Sequence, residues 1–197
     1  MFKRTLVSLM IGFSAMTLTG CDKPDEPSHV SQQANEITFE KLINTTHSFS
    51  TSPVSKNISD NMYVFFDPQC PHCTQLWLNA KDNINKDLPI VWIPVAVLNQ
   101  NSMQQAAAIL AATDPVEAMN KHETLRKEGK NGIEANMINP KFYEQVKINN
   151  TQFDITKATG VPLILKQSKD GTIKAASGEL TPQILNDFYH EKVKNSQ

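Results

Sequence analysis

The sequence predicts an α/β domain in which a helical block interrupts a β-sheet. Two observations support this class. Short apolar runs typical of buried strands occur at 62–66, 90–93 and 162–166. Between the last two runs, residues 101–158 favour helix over most of their length. A sheet with helices inserted between two of its strands is therefore the expected architecture.

The N-terminal residues 1–20 have the pattern of a secretory signal peptide, in which two basic residues precede an apolar run too short for a permanent membrane span. The run ends at 18–21, LTGC, which resembles a bacterial lipobox. The resemblance implies cleavage before Cys21 and a diacylglycerol on its sulfur. The alternative is an ordinary signal peptide followed by an unrelated cysteine. In lipoproteins similar to this one, an aspartate such as Asp22 favours retention at the inner membrane.

The chain is expected to divide into a signal peptide, a linker and one folded domain. Residues 21–35 hold charges, polar side chains and two prolines, so they are predicted to form a flexible linker. The domain is expected to cover 36–197. Its first part is ambiguous, since 37–43 fits either a strand or a short helix, while 44–60, rich in Ser, Thr and Asn, fits a loop.

The first clear strand, 62–66, is followed by a helix predicted over 70–84. Apolar residues recur at helical spacing along one face of this helix. They are Cys73, Trp77, Ala80 and Ile84. A second buried strand, 90–93, should end or bulge at Pro94, because proline cannot donate a hydrogen bond to a neighbouring strand.

The central block is predicted to be helical. Its helices are expected at 103–112, from Pro115 to about Lys127, from Pro140, and in a short piece around 151–158. Asp114 has the position of a cap before a proline in the first helical turn. The stretch 129–140 is predicted to be a loop. The charged run 121–130 is interpreted as a solvated helix face.

The C-terminal part is predicted to be a hairpin followed by a helix. Strands at 162–166 and 173–177 flank the turn 169–172, KDGT, which is a strong hairpin signal. The last helix should begin at Thr181-Pro182. Its side chains expected in the core are Ile184, Leu185, Phe188 and Val193.

The most informative motif is Cys70-Pro71-His72-Cys73 at the start of a helix that follows a strand. This spacing allows both sulfurs to meet across the first turn, and the positive potential of a helix N-terminus favours the thiolate. Pro71 suits this turn, and His72, between the sulfurs, is predicted to tune them. We expect Cys70 at the helix tip to be the accessible, attacking sulfur and Cys73 to be the shielded, resolving one.

From about Asn61 to the C-terminus, the chain resembles the periplasmic thiol:disulfide interchange proteins of the DsbG and DsbC type. The matching motifs are YVFFDP at 63–68 with its Cys-X-X-Cys, AAAILA at 106–111 with the following Asp-Pro, and TGVP at 159–162. The resemblance implies a thioredoxin-like fold with a helical insertion between the second strand and the strand that begins with a cis proline.

The same resemblance assigns a role to Val161-Pro162. In this superfamily a cis proline faces the redox pair, and the residue before it pairs with the extended backbone of the substrate. From the residues alone, a proline that opens a strand fits a trans peptide bond equally well.

Thioredoxin itself has a buried acid six residues before its first active-site cysteine, and Val64 occupies that position here.

The resemblance implies a periplasmic thiol:disulfide oxidoreductase or isomerase, and the lipobox-like motif at 18–21 implies that it is tethered to the membrane. Its expected partners are exported proteins that contain cysteines, and a membrane redox partner that is either an electron transporter or a quinone-linked oxidase. We expect no cofactor and no metal. Nucleic acid is not expected either, since the net charge is −1 without a basic stripe. A monomer is expected, because the dimerisation domain of those isomerases does not fit before the first strand.

Two alternatives use the same residues differently. The cysteine pair could serve as soft ligands in a metal or copper chaperone, although two thiolates alone make a poor tetrahedral site. The chain could also be a holdase or binding module in which the redox pair is not used.

Overall fold

The computed structural model describes residues 38–82 and 84–192. Within this part, five strands form one mixed sheet. They are β1 (Phe49–Ser50), β2 (Met62–Phe66), β3 (Ile90–Pro94), β4 (Leu163–Gln167) and β5 (Ile173–Ser177). Their order across the sheet is β1-β3-β2-β4-β5, and only β2 and β3 are parallel. The fold is therefore the expected α/β class, with β3 ending at its proline as predicted.

Helices cover both faces of the sheet. They are α1 (Phe39–Thr45), α2 (Pro71–Ala80), α3 (Gln100–Ala111), α4 (Pro115–Lys127), α5 (Pro140–Ile155) and α6 (Pro182–Tyr189), with a 3-10 turn at Ile58–Asp60. Helices α3 to α5 lie between β3 and β4 in the chain, which confirms the predicted helical insertion. Proline opens four of the six helices in the described part of the chain, since its preset φ suits the first turn.

The central strand β2 is buried on both faces, and its side chains alternate between two core clusters. Met62, Val64 and Phe66 point to the α2 and α6 side of the sheet, where Trp77 and Trp92 pack with ring centroids 4.8 Å apart. Tyr63 and Phe65 point to the α1 and α5 side, where Phe65 packs against Phe153. A strand buried in this way places its C-terminal end, and the loop after it, at a rigid position.

Several local predictions were wrong. Helix α2 ends at Ala80, and Ile84 is 52% exposed because the Asp82 carboxylate accepts its backbone N–H in a turn that leads the chain away. Helix α5 runs unbroken to Ile155, so there is no separate helix at 151–158. The stretch 44–60, predicted as a loop, contains the short strand β1. Of the two alternatives left open for 37–43, the structure has the helix, which begins at Phe39.

Two further differences concern side chains. Ile184 is exposed on α6, while Leu185 on the next position is buried. The run 121–130 is not simply a solvated face, because His122 and Glu123 are both buried against the rest of the domain. Helix α4 packs against α3 and β1, so part of this charged run faces the interior of the domain.

Some predictions fall outside the described residues. These are the signal peptide at 1–20, lipidation of Cys21, the linker 21–35 and the burial of Val193. Within 38–82 and 84–192, no helix is both long enough and apolar enough to cross a membrane.

Candidate redox site

The two cysteines lie at the N-terminus of α2, directly after the buried strand β2. Cys70 is the N-cap residue, and its backbone N–H donates to the Asp67 carbonyl at 3.0 Å. The Cys73 N–H donates to the Cys70 carbonyl at 3.1 Å, which closes the first helical turn. Pro71 occupies the first turn, as predicted. Both sulfurs are free thiols held by one turn of a rigid element.

Both cysteines are buried, so the prediction of an accessible Cys70 was wrong. Cys70 is 5% exposed and Cys73 is 1% exposed. The chain entering β4 covers Cys70: the Val161 carbonyl oxygen lies 3.4 Å from the Cys70 sulfur, which donates to it when protonated. Pro71 and His72 are the exposed residues of the motif. A disulfide partner must therefore approach Cys70 over Val161.

The Cys70 pKa is lowered to about 6. The largest cause is the hydrogen bond that the Cys73 thiol donates to the Cys70 sulfur, and it outweighs the opposing effect of burial. Backbone N–H groups of Cys73 and His72 add to the shift, and the His72 imidazole contributes positive charge. Helix-tip potential and His72 are thus real but smaller influences than the neighbouring thiol.

The Cys73 pKa moves in the opposite direction. Burial raises it most, and the hydrogen bond to Cys70 together with the negative charge of a Cys70 thiolate raises it further. The first proton therefore leaves Cys70, and Cys73 keeps its proton until Cys70 is no longer a thiolate. One sulfur is ready to attack at neutral pH while the other remains a thiol.

His72 projects from the helix tip towards Glu179, in the segment between β5 and α6. Their closest atoms, Nδ1 and Oε2, are 3.6 Å apart, and both side chains are largely exposed. An exposed pair of this kind contributes little to stability.

Val161 and Pro162 lie beside the cysteines, as the family resemblance implies. Their peptide bond is cis, and the Val161 carbonyl is the group that accepts the Cys70 thiol. An open groove of about 380 Å³ begins at this segment. It is lined by Ala158 to Val161, Leu163 and Ala175 to Gly178. The groove is connected to the cysteine pair through Val161, whose carbonyl contacts the Cys70 sulfur.

Asp67, directly after strand β2, supports the turn that leads into Cys70. Its buried carboxylate accepts three backbone N–H groups, from Gln69 at 2.8 Å, Val97 at 2.8 Å and Leu98 at 3.0 Å. These bonds tie the turn before Cys70 to the chain that leaves β3. The only sequence signal was its place directly after a buried strand.

Helix α4 supports the same turn from another side. His122 Nε2 lies 2.8 Å from the Pro68 carbonyl, and its Nδ1 accepts the Ile133 N–H at 3.3 Å, so Nε2 carries the proton. Burial lowers the His122 pKa and keeps the ring neutral. Arg126 donates to the Gln69 carbonyl at 3.0 Å. A Cβ at Gly132, where φ is +96°, would overlap the His122 ring.

A buried acid, Glu123, lies next to His122 on α4 and was also missed from the sequence. It follows Met119 by one helical turn, on the buried face, which was the available signal. Among the described residues, no group of three or more His, Cys, Asp or Glu side chains is arranged to hold a metal ion.

Comparisons with known proteins agree with this geometry. The chain is 32% identical over 129 residues to the thiol:disulfide interchange protein DsbG of Escherichia coli (strain K12), which is 64% of this chain and 50% of the relative. It is 27% identical over 134 residues to DsbG of Pseudomonas aeruginosa, with the same coverage. The chain thus spans about half the length of the curated relatives it matches. No protein-family model matches it.

Solved structures show the fold. A periplasmic thioredoxin-like protein from Salmonella enterica serovar Typhimurium superposes with a TM-score of 0.55 at 19% identity, covering 77% of this chain and 92% of that one. A disulfide interchange protein from Neisseria gonorrhoeae gives 0.51 at 18% identity, covering 74% and 94%. The catalytic domain of Proteus mirabilis ScsC gives 0.52 at 15%, covering 77% and 91%. The fold is therefore thioredoxin-like.

Proposed function

We propose that this chain, a homologue of the thiol:disulfide interchange protein DsbG, exchanges disulfides with exported proteins in the periplasm through Cys70 and Cys73. The observation that carries the proposal is the placement of two free cysteines in the first turn of α2 beside the Val161 carbonyl. The low pKa of Cys70 and the high pKa of Cys73 agree with this placement. Such a pair has one nucleophile and one resolving thiol.

The reaction proceeds in two displacements. In the reducing direction, the Cys70 thiolate attacks one sulfur of a client disulfide, forms a Cys70–client disulfide and releases the other client sulfur as a thiolate. Cys73 then loses its proton, attacks the Cys70 sulfur, and forms the Cys70–Cys73 disulfide as the second client sulfur leaves. Two electrons pass from the protein to the client. The reverse sequence transfers the disulfide to a reduced client.

Val161 and Pro162 are proposed to bind the client backbone at the groove. The support is that the Val161 carbonyl contacts the Cys70 sulfur and that Val161 also lines the open groove. Backbone pairing with an extended segment gives affinity with little demand on client sequence. Pro71 and His72 are proposed to tune the sulfurs from the rim. A membrane electron transporter or quinone-linked oxidase would restore the starting redox state.

The rate of this exchange should depend on pH in a characteristic way. We expect the reduced protein to react with a disulfide-containing peptide faster as pH rises through about 6, and to level off above it, because the Cys70 thiolate is then fully formed. Rapid mixing, acid quenching and mass spectrometry of the products measure the rate. A rate that keeps rising to the ordinary cysteine range, about 8.5, would contradict the proposed activation.

Two variants separate the causes of that activation. His72→Ala should move the midpoint of the Cys70 titration upward, and Cys73→Ala should move it further, because the Cys73 thiol is the largest cause of the low pKa. Thiolate absorbance as a function of pH gives both midpoints. The ranking fails if removal of His72 has the greater effect.

We also propose that Cys21 is lipidated and tethers the domain to the periplasmic face of the inner membrane. The lipobox-like LTGC at 18–21 supports this. Native protein should sediment with membranes, whereas a Cys21→Ser form should appear in the soluble periplasmic fraction, because stable anchoring requires more than one acyl chain. If the two forms were distributed equally between membrane and soluble fractions, Cys21 would not be the anchor. A Cys73→Ser form, which keeps Cys21, is the control and should sediment with membranes like the native protein.

A further inference from the structure

Glu123 is a buried carboxyl group without a hydrogen-bond partner. The residue is 1% exposed, and within the described part of the chain neither carboxyl oxygen is satisfied. An ionised carboxylate in such a place is costly, and buried polar groups left unpaired in folded proteins call for a functional explanation. Glu117, on the same helix, is exposed to solvent and so provides a comparison for Glu123.

The surroundings place Glu123 beside the redox pair. Helix α4 is attached to the active-site turn on both sides of this residue, by His122 to the Pro68 carbonyl at 2.8 Å and by Arg126 to the Gln69 carbonyl at 3.0 Å. The Thr74 side chain, next to Cys73 on α2, lies close enough to the Glu123 carboxyl to favour its ionised form, but the two make no hydrogen bond of normal geometry. Thr74 Oγ1 itself donates to the Cys70 carbonyl at 3.4 Å.

Few charges act on this carboxyl. The charged groups that shift the pKa of Glu123 are Arg126, on the same helix, and the Cys70 thiolate on α2. The Asp67 carboxylate shifts the pKa of His122. Helix α3 and strand β1, which also pack against α4, contribute no charged side chain. Burial raises the Glu123 pKa to about 7, against the opposing effects of Thr74 and Arg126, and a negative Cys70 raises it further.

We propose that Glu123 is a second proton-exchanging group of the redox centre, which holds a proton while Cys70 is a thiolate and releases it when the Cys70–Cys73 disulfide forms. The inference rests on the proposed function, because it requires the pair to change oxidation state. Repulsion between two buried negative charges is the physical link, since formation of the disulfide removes the charge on Cys70.

The step is balanced as follows. The reduced centre contains the Cys70 thiolate, the Cys73 thiol and the Glu123 carboxylic acid. It transfers two electrons to a client disulfide and becomes the Cys70–Cys73 disulfide with an ionised Glu123. The two client sulfurs leave as thiols, and their protons correspond to those lost by Cys73 and Glu123. The overall charge is unchanged, so no uncompensated charge is created inside the domain.

One consequence is a shift in the redox equilibrium. Above about pH 7 an ionised Glu123 disfavours the Cys70 thiolate, so it favours the disulfide. This repulsion is absent in Glu123→Gln. In a glutathione buffer at about pH 8, the ratio of dithiol to disulfide should therefore be about threefold or more higher in this variant than in the native protein. At about pH 6 the difference should be much smaller. Glu117→Gln, which removes an exposed charge from the same helix, should match the native protein at both values.

The direct test follows the Glu123 carboxyl in the native chain, so it does not depend on how a variant folds. Glutamate labelled with carbon-13 at the carboxyl group, assigned by loss of one signal in Glu123→Gln, is titrated by NMR in the dithiol and disulfide forms. A lower midpoint in the disulfide form supports the inference, and the same midpoint in both forms overturns it. If the native protein does not exchange disulfides with glutathione, the proposed function is wrong and the inference with it. If the protein does exchange but the Glu123 midpoint is the same in both forms, only the inference is wrong.

Discussion

A Cys73→Ser variant should accumulate covalent adducts between Cys70 and its clients, whereas Cys70→Ser should form none. Cys70 carries the low pKa, so it makes the first bond, and only Cys73 is placed to break that bond from within the same helical turn. Without this oriented thiol, an adduct must wait for a thiol from solution, and its lifetime should increase by about a hundredfold or more. Non-reducing gels of acid-quenched cells would reveal the adducts.

Serine is the informative replacement at Cys73, because its hydroxyl can still donate to the Cys70 sulfur and support the thiolate. Disappearance of the adducts on treatment with a reductant confirms that they are disulfides. The double variant with both cysteines replaced is the matched control. Adducts of equal yield in Cys70→Ser would show that Cys73 is the attacking sulfur, which would reverse the proposed roles.

Asp67→Ala should destabilise the domain strongly, by about 3 kcal/mol or more in the free energy of unfolding. The substitution leaves the backbone N–H groups of Gln69, Val97 and Leu98 without their buried acceptor. It also releases the turn that precedes Cys70 from the chain that follows β3. Denaturant unfolding of the reduced protein, followed by tryptophan fluorescence, measures the change as a lower midpoint.

Asp67→Asn distinguishes the contribution of the carboxylate charge from that of the side chain's size and shape. The amide keeps one acceptor oxygen and the side-chain volume, so its loss of stability should be clearly smaller than that of Asp67→Ala. The Asp170→Ala variant, in the exposed hairpin turn, should cost less than either. If Asp67→Ala unfolds at the same denaturant concentration as the native protein, the carboxylate does not hold the two segments together.

Local pattern was sufficient for most elements of the fold. The five-residue strand β2, the proline-opened helices α4 and α6, and the hairpin around Gly171 all follow from periodicity, caps and turn residues that lie next to one another in the chain. Predictions failed where an element boundary depended on a particular side chain. Asp82 turned the chain away from the predicted end of α2, and no short-range signal separated this aspartate from others in the same region.

For the site, the sequence by itself determined the Cys70–Cys73 pair and its place at a helix N-terminus, because the residues that create this arrangement are neighbours in the chain. Only the tertiary structure decided that Cys70 is buried under Val161, which lies 91 residues away. It also decided that Glu123 is inside, since whether a glutamate on a helix faces water depends on what packs against that helix. Spacing fixes which side chains share an element, whereas burial and pKa depend on contacts between distant segments.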